Sequence, residues 1–289
     1  MQSKLPLLGV CLVLCVCIAP TYGAEFEPPR RADGRPDLNG VWQAMSRANF
    51  NIEAQVAKPA LALRDGPFGQ VPAREVVALG AVGAAPATRG VVHGGALPYR
   101  EAARQQRDEN RRHWLERDPE IKCYLPGIPR ANYMGLPFQV FQSDGQFAFV
   151  YEYRGFVRNV LFDDPGMPPA DSWMGQSVGH WEDDTLVIEV SGFNGRTWFD
   201  RAGNFHGPNM RVAESFRLIA PDVMHYEATI DDPETFTEPW TLSMNLYRLQ
   251  GADAQLQQFN CIPFVEELMY GHLRREPLDQ DAEDGDAQE

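Results

Sequence analysis

The stretch Phe138–Tyr153, FQVFQSDGQFAFVYEY, contains two runs rich in aromatic and aliphatic residues on either side of Ser143-Asp144-Gly145-Gln146. Successive residues of a β-strand point to opposite faces of a sheet, so the alternation within these runs is typical of strands with one buried face. Asp-Gly between two such runs favours a tight turn. The sequence therefore predicts a β-hairpin at this position.

Similar short runs follow one another as far as Asn260, with turn-forming residues between them and no helical pattern. A second compact turn is predicted at Glu182-Asp183-Asp184-Thr185. Short strands joined by tight turns pair antiparallel, so the predicted fold is mainly β. We expect an antiparallel up-and-down barrel or strongly curved sheet, with a β-sandwich as the alternative. The predicted strands are Phe138–Phe141, Phe147–Tyr153, Phe156–Phe162, Ser177–Glu182, Thr185–Val190, Met210–Leu218, Val223–Ile230, Thr241–Arg248 and Leu256–Asn260.

The chain before this region divides into two parts. Residues 24–98 are mostly irregular in composition, with one strand predicted near residues 40–45, where Gly40-Val41-Trp42 resembles the Gly-x-Trp of lipocalin-type barrels. Residues 99–117 lack Gly and Pro and are rich in helix formers, so one N-terminal helix is predicted there. Its arginines are interleaved with acidic residues, which favours a solvated helix face over a phosphate-binding surface. Residues 118–275 are predicted to form the antiparallel β domain.

The two ends of the chain are predicted to lie outside the folded body. Residues 1–23 follow the order of a secretory signal peptide, with Lys4, an apolar run and then small residues, and that run is too short to span a bilayer. Residues 276–289 contain seven acidic residues and no basic residue, which predicts a disordered acidic tail. The expected location is periplasmic or secreted. Cleavage of the signal would also remove Cys11, Cys15 and Cys17.

Charge and cysteine content limit the class of protein further. The chain of 289 residues has a formal net charge of −14, and this acidic balance argues against a nucleic-acid partner. In an exported protein, the two remaining cysteines, Cys123 and Cys261, are expected to form a disulfide. Two buried free thiols or one catalytic thiol are the alternatives.

Four segments resemble a family of secreted bacterial proteins. Asp118–Arg130, DPEIKCYLPGIPR, is similar to the element DPE-x-x-C-x-P-P-G-x-P-R of that family. Ser172–Val187 is similar to W-M-G-x-S-x-G-x-W-E-G-D-T-L-V, and Gly192–His206 to G-F-N-x-x-T-W-x-D-x-x-G-x-x-H. Thr229–Pro233 with Pro239-Trp240-Thr241 completes the pattern.

The resemblance covers roughly residues 37–267 and implies export. The family has no established catalytic residues to carry over. The chain departs from the commoner form after Cys261, where Ile262-Pro263-Phe264 replaces the usual His-Glu-Gly. Any activity that depends on that His-Glu pair in relatives is therefore in doubt for this chain.

The densest polar group lies in the loop at residues 197–207, between predicted strands. Loops on a rigid β scaffold often contain binding and catalytic groups. His206 is the candidate general base, Asp200 the group that orients it, and Arg201 the electrostatic stabiliser. The structural alternative is that Asp200 shapes the loop, Arg201 pairs with it, and His206 is a hydrogen-bonded structural residue.

A pocket for a small, partly apolar organic molecule is predicted inside the barrel. Tyr151, Trp173 and Trp198 would line it, and Arg154 would supply polar contacts together with Arg201 and His206. His180 is a further candidate contact, because His180 and Glu182 are two residues apart on a predicted strand and face the same side. The alternative is that His180 and Glu182 form a polar pair facing water.

The motif content favours no cofactor. The sequence has no Gly-Lys-Ser/Thr phosphate loop, no Gly-x-Gly-x-x-Gly and no Gly-x-Ser-x-Gly elbow. A metal site formed by His180, His206, Asp200 and Glu214 is left open as an alternative, because no pair among them has the close spacing typical of metal ligands, and no metal is assigned. The predicted function is an exported β-barrel protein that binds a small, partly apolar organic molecule, without a membrane span. A cofactor-independent hydrolase, lyase or isomerase is the first alternative, and an envelope interaction protein the second. The oligomeric state is left open.

Overall fold

The computed structural model describes residues 26–57, 63–72, 85–163, 165–265 and 268. The predicted signal segment, residues 1–23, and the predicted acidic tail, residues 276–289, lie outside the described residues.

In this part of the chain, eleven strands and two helices are formed. The strands are β1 Gly40–Ala44, β2 Leu63–Gly66, β3 Gly69–Pro72, β4 Phe138–Ser143, β5 Gln146–Tyr151, β6 Val157–Leu161, β7 Gln176–Glu182, β8 Thr185–Ser191, β9 Arg211–Ala220, β10 Val223–Asp231 and β11 Trp240–Arg248. The helices are α1 Glu101–Arg112 and α2 Trp114–Arg117. None of the described helices is long and apolar enough to cross a membrane.

Nine of the described strands form a closed barrel in the order β1, β11, β10, β9, β8, β7, β6, β5 and β4. β1 completes the closure by pairing with both β11 and β4. The predicted barrel is confirmed, and the sandwich alternative is wrong. β2 and β3 form a separate hairpin. The two predicted turns join β4 to β5 and β7 to β8, with Gly145 at φ 74° and Asp183 at φ 49° supplying the left-handed positions.

One neighbouring pair departs from the predicted antiparallel pattern. β6 and β7 run parallel and pair at Val160 with Ser177 and at Leu161 with Val178. Parallel neighbours need a crossover connection of a dozen or more residues, and the chain between Leu161 and Gln176 is long enough to provide one without a helix. The barrel is therefore mixed, although most of its pairings are antiparallel.

The prediction of a strand at Leu256–Asn260 is wrong. That segment has no strand pairing, and side chains hold it instead: the Gln257 amide donates to Glu152 Oε2 at 2.7 Å, and the Phe259 ring lies 5.5 Å from that of Tyr153. The ninth strand of the barrel is β1, which comes from the N-terminal segment and has only five residues.

Side chains from the strands fill the barrel interior. Residues along β9 and β10 alternate between buried and more exposed, so one face of each strand packs inward. Aromatic rings dominate the middle of the barrel, where Phe149 lies 5.3 Å from Phe216, and Phe216 lies 4.9 Å from Tyr226, between ring centroids. This interior is a packed core, as in other small barrels.

Two elements outside the sheet cover one end of the barrel. The first is a short 3₁₀ helix, Arg130–Tyr133, here called the plug helix, whose four residues are all buried. The second is the loop at residues 197–207, against which α1 packs. Gly203 of that loop has φ 87°, and a Cβ atom there would lie 2.9 Å from backbone atoms of α1. Glycine therefore permits this close approach.

Cys123 and Cys261 are joined in a disulfide, as predicted, with 138 residues of sequence separation. We expect the double variant Cys123→Ser/Cys261→Ser to have a free energy of unfolding lower by roughly 4–5 kcal/mol, because the bond restricts the unfolded chain. Urea denaturation measures this difference. A reductant should destabilise the wild type by the same amount and leave the variant unchanged. Equal unfolding midpoints for wild type and variant would contradict the expectation.

Candidate functional site

Asp200 is fully buried and shapes the loop at residues 197–207. Its Oδ2 accepts hydrogen bonds from the Ile52 amide at 2.8 Å and from Asn204 Nδ2 at 2.7 Å. Its Oδ1 accepts from the amides of Ala202 at 2.8 Å and Asn204 at 3.2 Å. Burial raises the pKa of the Asp200 carboxyl to about 6 against the lowering effect of these donors. The carboxyl therefore ties the loop to itself and to the N-terminal segment.

His206 is also buried, and both of its ring nitrogens are engaged. Nδ1 lies 2.7 Å from the Gly207 carbonyl oxygen, which can only accept, so Nδ1 is the protonated nitrogen. Nε2, 2.6 Å from Thr197 Oγ1, then accepts from that hydroxyl. Burial lowers the pKa of His206, which keeps the ring neutral. The geometry gives His206 and Asp200 separate partners, so Asp200 does not orient the imidazole.

Arg201 belongs to a buried charged cluster at the same end of the barrel. Its guanidinium donates to both carboxylate oxygens of Glu120, at 2.9 Å from Nε and 2.8 Å from Nη2. Arg130 of the plug helix donates to the same carboxylate and lies 3.6 Å from Asp118. The two arginines outweigh burial and lower the pKa of Glu120 to about 2. Burial raises the pKa of Asp118 to about 6, although Arg130 opposes this shift.

The residues predicted to bind a ligand are spread over several environments. Tyr151 lies inside the barrel, whereas Trp173 stacks on Tyr124 with ring centroids 4.7 Å apart. Arg154 donates to the Cys123 carbonyl oxygen. The remaining two are Trp198, which is buried in the loop at the barrel end, and His180, whose Nε2 lies 3.0 Å from Glu182 Oε1 on the exposed face. The structure therefore does not bring these side chains into one pocket.

A buried ion pair crosses the barrel interior beneath the plug helix. Arg158 of β6 donates from Nη2 to Glu214 of β9, and both side chains are almost completely buried. Tyr226 Oη donates to Glu214 Oε1 at 2.8 Å, and Arg158 Nε donates to Ser177 Oγ at 2.8 Å. The guanidinium also lies 5.1 Å from the centroid of the Phe149 ring. The charges are compensated by one another and by these neighbours.

The plug helix is joined to this ion pair through Asn132. Its Nδ2 donates to Glu214 Oε1 at 2.8 Å, and its Oδ1 accepts from Tyr151 Oη at 2.7 Å. Tyr133, next in the plug helix, donates to the Phe199 carbonyl oxygen at 3.0 Å. The buried network therefore fixes the position of the plug helix relative to the barrel wall and the loop.

The sequence contains a signal for the core position of Glu214 that the predictions above do not use. In the run Val212, Glu214, Phe216 and Leu218, every second residue faces the core, and the one charged member must face the core with them. Arg158 stands in the same relation to Val160 on β6. A charged residue on the buried face of a predicted strand requires a partner, so this pattern indicates an internal ion pair.

Among the described residues, two of the cavities lie elsewhere on the protein. The larger, of about 690 Å³, lies against the outer wall of the barrel across β4, β5 and β6 and is here called the β4–β6 cleft. Its lining residues are Asn39, Phe141, Gln142, Ser143, Gly145, Gln146, Phe147, Ala148, Asn159, Val160, Leu161, Phe162 and Asp163. A cavity of about 300 Å³ lies between residues 45–51 and 87–91. Neither is lined by His206, Asp200 or Arg201.

No protein-family model, curated protein or solved structure matches this chain. The family resemblance carried by the sequence elements above therefore stays a prediction. Among the described residues, no group of three or more His, Cys, Asp or Glu side chains is placed to hold a metal ion.

The ion pair inside the barrel gives a direct test of how the core is held together. We expect Glu214→Gln to lower the free energy of unfolding by roughly 3–5 kcal/mol, because Arg158 would remain buried without an opposite charge. Thermal or urea unfolding measures the loss. Glu189→Gln, at an exposed position on β8, is the control and should change stability by less than about 0.5 kcal/mol. Equal stability of the two variants would contradict this role of Glu214.

Asp118 gives a prediction for the dependence of stability on pH. Because its pKa is raised to about 6 in the folded protein, the folded state binds the proton more tightly than the unfolded state, and stability from this group falls as pH rises. Between about pH 4 and about pH 7.5, the free energy of unfolding of Asp118→Asn should therefore rise by roughly 2–3 kcal/mol relative to that of the wild type. Unfolding experiments at both pH values measure the gain.

The difference in free energy of unfolding between the variant and the wild type isolates the contribution of Asp118 from that of other titrating groups. The lowered pKa of His206 acts in the opposite direction in the same pH range, and it contributes equally to both proteins. Asp253→Asn, at an exposed position, should follow the wild-type profile. A constant difference between Asp118→Asn and wild type across this range would show that the carboxyl does not titrate there.

Proposed function

We propose that the protein is an exported binding protein for a small, partly apolar organic molecule and that the ligand occupies the β4–β6 cleft. The observation that carries the proposal is the cleft itself, whose volume of about 690 Å³ lies within the range typical of small-molecule sites. Its position on three strands of a closed barrel gives it a rigid floor.

The lining of the cleft suits a molecule of mixed polarity. Phe141 is half exposed and Leu161 is 39% exposed, so both offer apolar surface to a ligand. The side chains of Gln146 and Asn159 are exposed beside them and supply amide donors and acceptors. A few polar groups placed among apolar surface are the usual composition of ligand sites.

The barrel interior is a weaker candidate for the site. Phe149, Phe216 and Tyr226 fill its middle, and the Arg158–Glu214 pair with the plug helix fills the space above them. His206 uses its Nε2 lone pair to accept from Thr197, which leaves it poorly suited to act as a base. We therefore favour binding over the hydrolase, lyase or isomerase alternative.

Export is supported by the covalent structure. The bond between Cys123 and Cys261 persists in oxidising compartments, such as the periplasm or the extracellular space. The signal-like order of residues 1–23 points to the same location.

Filling the cleft tests the proposal. In amide NMR spectra, neutral and partly apolar fragments should shift the signals of β4, β5 and β6, and Ala148→Trp should remove those shifts because the indole covers the cleft floor. Ala213→Trp, at an exposed position on β9 in the opposite wall, is the matched control and should leave binding unchanged. Fragments that bind Ala148→Trp as well as wild type would place the ligand outside the cleft.

A further inference from the structure

The polar groups of the β4–β6 cleft are available to a ligand. In the described part of the chain, the side chains of Ser143, Gln146 and Asn159 are exposed and have no hydrogen-bond partner. The side chains of Asn39 and Gln142, by contrast, are already engaged: Asn39 bonds to the backbone of Gln142, and the Gln142 side chain accepts from the Leu38 amide and donates to the Pro36 carbonyl oxygen. Amides and hydroxyls both donate and accept hydrogen bonds. Ser143, Gln146 and Asn159 therefore match ligand groups, such as hydroxyls, that also donate and accept.

The charge of the cleft disfavours anionic ligands. Among its lining residues in the described ranges, none is Lys, Arg or His, and Asp163 is the one ionisable side chain. Phosphate and carboxylate groups are bound most strongly by cationic donors. The cleft therefore favours a ligand without negative charge.

The strand register arranges polar and apolar surface on opposite sides of the floor. Phe141 pairs with Ala148, and Ala148 pairs with Asn159, so the three side chains point outward in one row across β4, β5 and β6. Neighbouring strands are about 4.8 Å apart, which separates Phe141 from Asn159 by roughly 10 Å. The small Ala148 lies between them, so a flat ring molecule can rest on the floor with its apolar face toward Phe141 and its polar edge toward Asn159.

We propose that the ligand of the β4–β6 cleft is a neutral saccharide. This inference rests on the proposed function, because it names the class of molecule that the same cleft binds. A pyranose ring has C–H groups that pack on an aromatic ring, and hydroxyl groups around its edge that donate to and accept from amides. A pyranose that carries only hydroxyl groups has no charge, which agrees with the lack of Lys, Arg and His among the described lining residues of the cleft. The saccharide is either a soluble oligosaccharide or the exposed end of an insoluble cell-wall glycan.

The test compares saccharides with a simple apolar probe on the full chain. Amide NMR titrations use neutral glucose and N-acetylglucosamine oligomers, an acidic galacturonate oligomer and indole, and sedimentation with insoluble cellulose and chitin, both neutral, tests the second source. We expect a neutral glycan to shift the signals of β4–β6 or to carry the protein into the pellet. The acidic oligomer should bind more weakly than the neutral oligomers.

Two variants assign the interaction to the named side chains. Asn159→Leu should weaken saccharide binding about tenfold, the value of one lost hydrogen bond, while indole binding is retained. Phe141→Ala should weaken both. Gln139→Leu, on the same outer face of β4 but outside the cleft lining, is the matched control and should change neither.

The outcomes separate the two proposals. One outcome is that indole shifts the signals of the cleft, while no soluble saccharide shifts them and no insoluble glycan carries the protein into the pellet. That outcome would overturn the saccharide proposal and leave the binding function in place. Tighter binding of the acidic oligomer, or equal saccharide binding by Asn159→Leu and wild type, would also overturn it. No shift at the cleft with any probe, indole included, would overturn the proposed function as well.

Discussion

The ion pair between Arg158 and Glu214 constrains the rest of the barrel, because two opposite charges have been removed from water and must remain together. They come from strands in different parts of the barrel wall, so their pairing is possible only when the sheet has closed with these residues at the same level. Hydrogen bonds from Tyr226 and Asn132 then satisfy the carboxylate. Buried polar groups can specify one arrangement of a core in this way, even where apolar residues would be equally stable.

Buried charges also fix the positions of the plug helix and of the loop at residues 197–207. The plug helix presents Asn132 to Glu214 on one side and Arg130 to Glu120 on the other, so it links two buried charged groups. Glu120 in turn holds Arg201 of the loop at residues 197–207, which packs on α1. These linked buried charges therefore stabilise one end of the barrel.

The fold could be predicted from the sequence to the extent that local patterns determine it. Alternation and compact turns identify the strands from Phe138 onward and predict a barrel, which the structure confirms. The parallel direction of β7 could not be predicted, because a crossover and a hairpin loop can have the same polar, Gly-rich and Pro-rich composition. Leu256–Asn260 was predicted as a strand because its composition resembles one, but the disulfide and the contact with Glu152 hold it in another conformation. For the candidate site, proximity along the chain suggested that Asp200 orients His206, but the bonding directions of their side chains depend on partners distant in sequence or on the backbone.

The short pairing of β6 with β7 has a consequence for the motions of the barrel. A closed barrel has no free strand edge only while each seam is intact, and this seam is paired at two positions. Local opening proceeds most readily where few backbone hydrogen bonds hold an element in place. The amide protons of β6 should thus exchange with solvent earlier than those of β9 and β10, whose pairing runs along nine residues. Since β6 also forms one wall of the β4–β6 cleft, a molecule that contacts both β5 and β6 would slow that exchange and keep the edge of β6 covered.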